Sequence, residues 1–297
     1  MPGEFDFIEW IKTQQSPSDL VKVPVGDDLA VLKWPASDLL LVGADQVIDG
    51  VHFDSAVHSP RQIGRKAMNR NLSDCAAMAC LPAAAVVTVA LPKGLSVDYA
   101  KELYLGLKEA ADVFQCPIVG GDTSTWNGKL VMSVTIMGRS AGVKPTTRSG
   151  AQPGDLILVT GPLGGSMKGR HLTFEPRIHL AREISKTGEV TSMIDLSDGL
   201  SRDIRHICRM SGVGARIDLM HLPIHDDIYD IQREDWRTFD HALHDGEDYE
   251  LLFTATTWTG EQPEAWPVGE ITEGSDILVN DRNGLHPLVP KGWEHAF

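Results

Sequence analysis

The apolar positions of this chain recur at two spacings, and these spacings predict a mixture of helices and strands. Apolar residues three and four positions apart, such as Phe5, Ile8 and Ile11, are typical of one face of an amphipathic helix. Helices are predicted over residues 4–14, 60–79, 96–114, 177–186 and 198–211. Strands are predicted at 28–34, 38–46, 83–91, 129–138, 156–159, 215–219, 249–255 and 277–280.

One stretch interrupts this pattern and separates the chain into two halves. Residues 143–154 contain two prolines, two glycines and basic side chains, but no apolar periodicity. The chain has 297 residues, and a domain commonly takes about 150. We therefore predict two domains, 1–145 and 146–297, each mixing strands and helices in an α/β (α+β) fold.

The charge balance and the cysteines narrow the class of protein. Lysine and arginine number 27 against 41 aspartates and glutamates, a formal net charge of −14. This argues against nucleic-acid binding, which needs clustered basic side chains. No apolar run approaches the roughly 18 residues of a membrane-spanning helix, and the acidic N-terminus lacks a signal-peptide pattern. The cysteines match no zinc or disulfide spacing, so we expect a reduced, cytoplasmic protein with Cys75 and Cys80 in its core.

Aspartates stand repeatedly where apolar segments end. They are Asp27, Asp28, Asp45, Asp74, Asp122, Asp195 and Asp198. Singly, each has an ordinary explanation: Asp198 caps the next helix, Asp122 lies in a tight turn after two glycines, and the first pair forms a solvated turn. However, Asp45 follows a strongly apolar run and Asp195 lies between Ile194 and Leu196, and carboxylates in such surroundings are rarely buried without a partner.

Several carboxylates that converge on one cleft need counter-ions. Two unit charges about 4 Å apart repel by about 4 kcal/mol at an effective dielectric constant of about 20. Divalent cations offset this repulsion, and ligands that are all oxygen favour Mg²⁺, Mn²⁺ or Ca²⁺ over Zn²⁺. Mg²⁺ held by a few carboxylates and by substrate phosphates is typical of phosphoryl transfer.

The familiar nucleotide-binding motifs do not occur in the chain. There is no Gly-x-x-x-x-Gly-Lys-Ser/Thr loop, no Rossmann glycine pattern and no protein-kinase motif set. The glycines of residues 161–165 are weak evidence for a phosphate loop. Arg148 is either a phosphate contact or a solvated linker arginine, and His52 is either a functional histidine or an ordinary one.

Taken together, ordered sequence blocks along nearly the whole chain resemble one family. They include Gly26-Asp27-Asp28, Gly50-Val51-His52-Phe53, Asn71-Leu72-Ser73-Asp74, Gly120-Gly121-Asp122-Thr123, Thr147-Arg148-Ser149-Gly150, Asp195-Leu196-Ser197-Asp198-Gly199 and Gly246-Glu247-Asp248-Tyr249-Glu250. The sequence is similar to the thiamine-monophosphate kinase family, within the superfamily of aminoimidazole ribonucleotide (AIR) synthetase and selenophosphate synthetase.

The resemblance implies a fold, a partner and a reaction. The fold is the two-domain AIR-synthase-like one, in which the N-terminal domain contributes strands to a barrel at a homodimer interface and the C-terminal domain is α+β. The reaction is ATP- and Mg²⁺-dependent phosphorylation of thiamine monophosphate to the diphosphate by direct in-line transfer, with several metal ions and with Mn²⁺ as an alternative.

The resemblance also implies roles for individual residues. The metal ligands are Asp27, Asp28, Asp45, Asp74, Asp122, Asp195 and Asp198, of which Asp74, Asp122 and Asp195 are also the catalytic residues. ATP contacts are Gly121, Arg148, Ser197 and Tyr104. Contacts to the thiamine substrate are His52, Glu247 and Trp293.

Departures from the family pattern keep alternatives open. Gly43-Ala44 replaces the usual Ser-Thr before Asp45, the segment after Gly165 is short, and Pro290 stands where the family has an aromatic residue. One alternative is a paralogous enzyme that acts on another small phosphorylated acceptor. The other is a non-enzymatic nucleotide- or cation-binding protein, although every aspartate of the pattern is present.

Overall fold

The computed structural model describes residues 4–25, 29–231, 238–259 and 265–293. Their contacts separate two units. The first comprises Met1–Cys75 and Cys80–Gly142, and the second comprises Ala76–Ala79 and Val143–Phe297. We describe each unit by itself.

The first unit is built on a four-stranded sheet. Its elements are α1 (Glu4–Thr13), β1 (Val21–Val23), β2 (Val31–Leu32), β3 (Leu40–Ile48), α2 (Pro60–Ala77), β4 (Leu81–Pro92), α3 (Val97–Val113), β5 (Ile118–Trp126) and β6 (Val131–Arg139). The sheet order is β3-β6-β4-β5, with β4 and β5 parallel and the other pairs antiparallel. Among the described strands this sheet is open, and it leaves Leu40 and Val42 of β3 exposed.

Helices α2 and α3 pack backbone to backbone at two glycines. A Cβ atom on Gly64 would stand 2.0 Å from the carbonyl oxygen of Leu103, and one on Gly106 would stand 2.0 Å from that of Arg61. Only glycine permits this approach. None of the described helices combines the length and the apolarity that crossing a bilayer requires.

The end of α2 explains the pair of cysteines near it. Ala79 is left-handed with φ +53°, its N–H donates to Ala76 O at 2.9 Å, and Cys80 N–H donates to Cys75 O at 3.0 Å. This is the Schellman helix end, in which the side chains at the two flanking positions meet. Both side chains are buried and neither forms a disulfide, so the prediction that they belong to the core is confirmed. Their mutual hydrogen bond and burial raise the pKa of Cys75.

The second unit is built on a seven-stranded sheet. Its elements are β7 (Leu156–Val159), α4 (Arg170–Thr173), α5 (Ile178–Lys186), β8 (Val190–Asp195), α6 (Leu200–Ser211), β9 (Gly214–Asp218), α7 (Thr238–His244), β10 (Leu251–Ala255), β11 (Trp266–Thr272), β12 (Ile277–Asp281) and β13 (Gly284–Pro287), with short 3₁₀ turns between some of them. The sheet order is β13-β12-β9-β11-β7-β10-β8. Because β7 and β8 both run antiparallel to β10, their carboxyl ends share one edge with the start of β10.

Most predicted elements occur, with a few differences. The strand at 156–159 and the helices over 60–79, 96–114 and 177–186 are found within two residues of their predicted ends. The strand predicted at 28–34 is reduced to β2 within the described residues. The turn predicted at Asp122 is wrong, because β5 continues through both glycines to Trp126, and β4 supplies its hydrogen bonds.

Candidate active site

Two loops at the shared sheet edge of the second unit are joined by main-chain hydrogen bonds. The first loop, residues 195–199, follows β8, and the second, residues 246–250, precedes β10. Glu247 N–H donates to Ser197 O at 2.8 Å, and Tyr249 N–H donates to Leu196 O at 2.9 Å. These bonds bring Ser197, a predicted nucleotide contact, next to Glu247, a predicted substrate contact.

The second loop has an unusual backbone. Glu247 and Tyr249 both have φ +53°, the left-handed region that side chains other than glycine rarely enter. A Cβ atom on Gly246 would stand 2.8 Å from Ser197 O. Such strain persists only where surrounding contacts fix it, and it clusters at functional sites. Here the contacts are the main-chain bonds to the first loop.

Negative charge accumulates beneath the first loop. Asp203, on α6, is 1 % exposed, and its Oδ2 accepts from Asp198 N–H at 3.1 Å. Burial raises the pKa of Asp203 well above its usual range, and the carboxylates of Asp198 and Asp195 raise it further, whereas Arg148 lowers it. The site therefore disfavours a further negative charge on Asp203 unless a cation binds nearby.

Asp198, Asp203 and His206 each place one potential ligand atom within 4.8 Å of the others. Sequence reasoning missed Asp203 and His206, although their three-residue spacing places both on one face of α6. Burial, followed by Arg148, lowers the pKa of His206, which favours its neutral form. The proposed helix-capping role of Asp198 is wrong, because the cap residue of α6 is Gly199 and no side chain bonds there.

The C-terminal segment docks on the same loop. Trp293 N–H donates to Asp198 O at 3.1 Å, and Arg202 Nε donates to Gly292 O at 2.6 Å. A Cβ atom on Gly292 would stand 2.0 Å from Asp198 O, so the close approach requires glycine. Trp293 is 50 % exposed.

In the glycine-rich loop at residues 161–165, the backbone N–H groups of the two consecutive glycines already donate to side chains of the protein and do not point to a phosphate. Gly164 N–H donates to Asp248 Oδ1 at 2.9 Å, and Gly165 N–H donates to Asp245 Oδ2 at 2.9 Å. Arg170 also donates to Asp248 Oδ1 at 3.0 Å. Carboxyl oxygens of the chain itself therefore occupy the positions that a phosphate loop would offer to its ligand.

In the first unit, a cavity of about 630 Å³ separates α1 and α3 from the sheet. Apolar side chains line most of it, and Tyr104, Gly121 and Asp122 all contribute to its wall. Gln15 Nε2 donates to the Tyr104 hydroxyl at 3.2 Å, and burial raises the pKa of Tyr104 to about 12. A Cβ atom on Gly121 would stand 1.9 Å from Val87 O.

The remaining predicted metal ligands of the first unit lie against α2 or outside the described residues. Asp45 Oδ2 accepts from Arg70 Nε at 3.1 Å, and Asp45 N–H donates to Asn71 Oδ1 at 3.1 Å. Asp74 follows Arg70 by four residues and is therefore one helical turn further along the same face of α2. Asp27 and Asp28 lie outside the described residues and stay predictions.

Comparisons with known proteins agree with this architecture. Residues 26–140 match the model of the AIR synthase related protein N-terminal domain, and residues 152–281 match that of the C-terminal domain. The thiamine-monophosphate kinase of Rhodopirellula baltica is 43 % identical over 258 residues, covering 84 % of this chain and 81 % of that protein. The chain belongs to the thiamine-monophosphate kinase family.

Solved structures of this kinase family superpose on most of the chain. The thiamine-monophosphate kinase from Stenotrophomonas maltophilia K279a has a TM-score of 0.80 at 30 % identity, covering 94 % of this chain and 96 % of that one. AaThiL complexed with AMPPCP and TMP has a TM-score of 0.78 at 31 % identity, covering 99 % of this chain and 97 % of that one.

The buried carboxyl of Asp248 predicts a pH dependence of stability. Burial raises the pKa of Asp248 to about 8, and Arg170 and the Gly164 N–H oppose this rise. In the unfolded chain, the pKa of this carboxyl should be about 3.9, the ordinary value for aspartate. The folded protein therefore keeps a proton on Asp248 at pH values at which the unfolded chain has released it. The stabilisation from Asp248 is complete below the pKa that this group has in the unfolded chain. It is lost as the pH rises through the pKa of the group in the folded protein.

Asp248→Asn keeps an oxygen acceptor for Gly164 and removes the ionisation. Relative to the wild type, its free energy of unfolding should increase by at least about 1 kcal/mol between pH 5 and pH 8. Urea titrations of both proteins across this range measure the change. Parallel pH curves for the two proteins would refute the assignment.

Proposed function

We propose that this member of the thiamine-monophosphate kinase family transfers the γ-phosphoryl group of ATP directly to thiamine monophosphate in the presence of Mg²⁺. The observation that carries the proposal is the hydrogen bond between Glu247 N and Ser197 O, which joins the proposed acceptor loop to the proposed nucleotide loop. The relative AaThiL, complexed with AMPPCP and TMP, supports this pair of ligands.

Proposed nucleotide contacts occur in both units, and we treat each unit by itself. The 630 Å³ cavity beside Tyr104 and Gly121 is of a size and character that suit a nucleobase. Ser197 and Arg148 are the proposed phosphate contacts of the second unit. Arg148 is exposed, and its fixed positive charge favours binding of anionic phosphate groups.

The donor chemistry of the carboxylates fits Mg²⁺. Asp195, Asp198 and the buried Asp203 form a group rich in carboxyl oxygens, and the pKa of Asp203 is raised by burial and by the other two. In the first unit, the proposed Mg²⁺ ligands are Asp27, Asp28, Asp45, Asp74 and Asp122, and Mn²⁺ is an alternative metal in both units. The ions would supply charge neutralisation between the two anionic substrates.

The proposed acceptor is the phosphate group of thiamine monophosphate, which needs to be oriented for the reaction but does not need to be deprotonated. A phosphate monoester is already ionised near neutral pH, so no strong general base is required. The negative charge of Glu247 favours the cationic thiazolium ring or contacts the pyrimidine, and Trp293 offers an exposed ring for stacking. His52, whose ring is held by the backbone of β3, contacts the same substrate. Positioning and electrostatic stabilisation then account for catalysis.

An acceptor panel separates this function from its rival. The protein is incubated with ATP, Mg²⁺ and phosphorylated metabolites including thiamine monophosphate, and products are identified by mass spectrometry. We expect ADP and thiamine diphosphate. Another phosphorylated product would favour the paralogous enzyme, a reading motivated by Gly43-Ala44 and Pro290. Uptake of nucleotide without turnover would favour a binding protein.

The exposed face of the four-stranded sheet is the proposed homodimer surface. Leu40 and Val42 of β3 point outward and are more than half exposed, and the family resemblance places a barrel between two copies there. The proposed domain that forms the dimer comprises residues 1–145. The proposed C-terminal domain comprises residues 146–297.

Val42→Lys tests the dimer. An unpaired ammonium buried in the interface costs several kcal/mol, so the dimer dissociation constant should rise by at least about 100-fold. Sedimentation velocity over a concentration series measures it. Val57→Lys, at an exposed apolar position outside the sheet, is the matched control and should dimerise like the wild type. A monomeric wild type at tens of micromolar would refute the surface.

A further inference from the structure

A lysine is completely buried in the first unit. Lys66, in the middle of α2, has 0 % exposure and is among the largest fully buried side chains of the described residues. Its Nζ donates to the carbonyl oxygen of His52 at 2.5 Å. Lysine is almost never fully buried without a partner, because removing an ammonium group from water is costly. A charge-assisted hydrogen bond to His52 is therefore a principal interaction of this buried group.

His52 is held at two further points by Ile48, the last residue of β3. Its N–H donates to Ile48 O at 3.0 Å, and its ring Nδ1 accepts from Ile48 N–H at 3.1 Å. Gly50 N–H donates to the next carbonyl, that of Phe53, at 2.7 Å. The residue is 9 % exposed. Backbone, carbonyl and ring are thus fixed together, and the ring has little freedom to rotate.

The bond to Nδ1 determines the tautomer of the ring. A nitrogen that accepts from a backbone N–H has no proton of its own, so the neutral imidazole has its proton on Nε2. Protonating Nδ1 would place two N–H groups against each other, and Lys66 already supplies a positive charge to the same residue. His52 is therefore a hydrogen-bond donor at Nε2 and is unsuited to act as a general base.

We propose that Lys66 is a positioning residue that holds His52 as a neutral Nε2–H donor to a hydrogen-bond acceptor atom of the phosphorylated acceptor substrate. This inference rests on the proposed function, since it assumes that His52 faces that substrate. Lys66 itself is buried beneath the turn. We expect its effect on catalysis to pass through the position of His52, and KM for ATP to change little.

Kinetics of four variants test the assignment. Lys66→Met removes the ammonium and retains much of the buried volume, and it should raise KM for thiamine monophosphate by at least about 5-fold, with KM for ATP within about 2-fold. Ile63→Ala, a fully buried position on the same helix, is the control for lost stability alone.

His52→Gln places an amide donor near the Nε2 position, whereas His52→Asn places one near Nδ1. Gln should retain most of the affinity for the acceptor and Asn should lose it.

A spectroscopic measurement keeps the inference separate from the proposed function. In ¹⁵N spectra of the uniformly labelled protein without substrate, with His52 assigned from the His52→Gln spectrum, Nδ1 should be unprotonated and Nε2 protonated. Lys66→Met should populate the other tautomer or broaden the signals. A proton on Nδ1 in the wild type would overturn the inference, and so would equal effects of Lys66→Met and Ile63→Ala on KM. Absence of thiamine monophosphate phosphorylation by the wild type would instead overturn the proposed function.

Discussion

Replacing Asp195 by asparagine should lower kcat for thiamine monophosphate phosphorylation by at least about 100-fold, the loss typical of removing one preorganised electrostatic contact. Asp195 is buried at the end of β8 and contributes to the charge that raises the pKa of Asp203. The amide has nearly the same shape as the carboxylate but no negative charge. The fold should therefore persist while divalent cations bind more weakly.

Steady-state kinetics across a Mg²⁺ titration measure this effect. The matched control is Asp218→Asn, because Asp218 ends another strand of the same sheet and accepts from Met220 N–H, a role that asparagine also performs. The control should retain activity within about 2-fold and leave the Mg²⁺ response unchanged. An Asp195→Asn enzyme with wild-type kcat and Mg²⁺ dependence would contradict the proposed role.

Gly292→Ala should have the second-largest effect, on the acceptor side of the reaction. The added methyl group would stand 2.0 Å from Asp198 O, so the C-terminal segment must leave its place and Trp293 must move with it. We expect kcat/KM for thiamine monophosphate to fall by at least about 30-fold, or roughly 2 kcal/mol. KM for ATP should change much less.

The kinetic comparison needs a control for backbone strain. The methyl group of Gly274→Ala would meet no atom within 4 Å, but Gly274 has φ +84°. This variant therefore introduces backbone strain at a position outside residues 195–199 and 246–250. It should lower thermal stability without changing KM for thiamine monophosphate. Equal kinetic effects of the two alanine variants would show that the tail has no specific role in binding the acceptor.

The sequence could predict the position of Asp195 and Gly199 in the second unit because the sequence features that indicate them lie in neighbouring residues. A carboxylate after an apolar run, as at Asp195, marks the end of a buried strand, and Gly199 follows where the backbone has φ +99°. The order of the blocks also led to the correct family. These features depend on neighbours in the chain and need no knowledge of distant contacts.

Other features depend on contacts that the sequence does not display. Asp203 and His206 look like ordinary helix positions until α6 is placed beside the first loop. Two glycines before Asp122 favour a turn locally, but pairing with β4 extends them into a strand. The burial of Lys66 similarly follows from its packing under the turn at His52, because lysine alone predicts an exposed position.

Single-turnover transfer from [γ-³²P]ATP to thiamine monophosphate, with enzyme in excess and Mg²⁺ present, tests the central claim most directly. The account predicts labelled thiamine diphosphate as the product, formed without a labelled protein intermediate and suppressed by a chelator. Label that remains on the protein, or that appears only as inorganic phosphate with no labelled thiamine diphosphate, would contradict direct transfer to this acceptor.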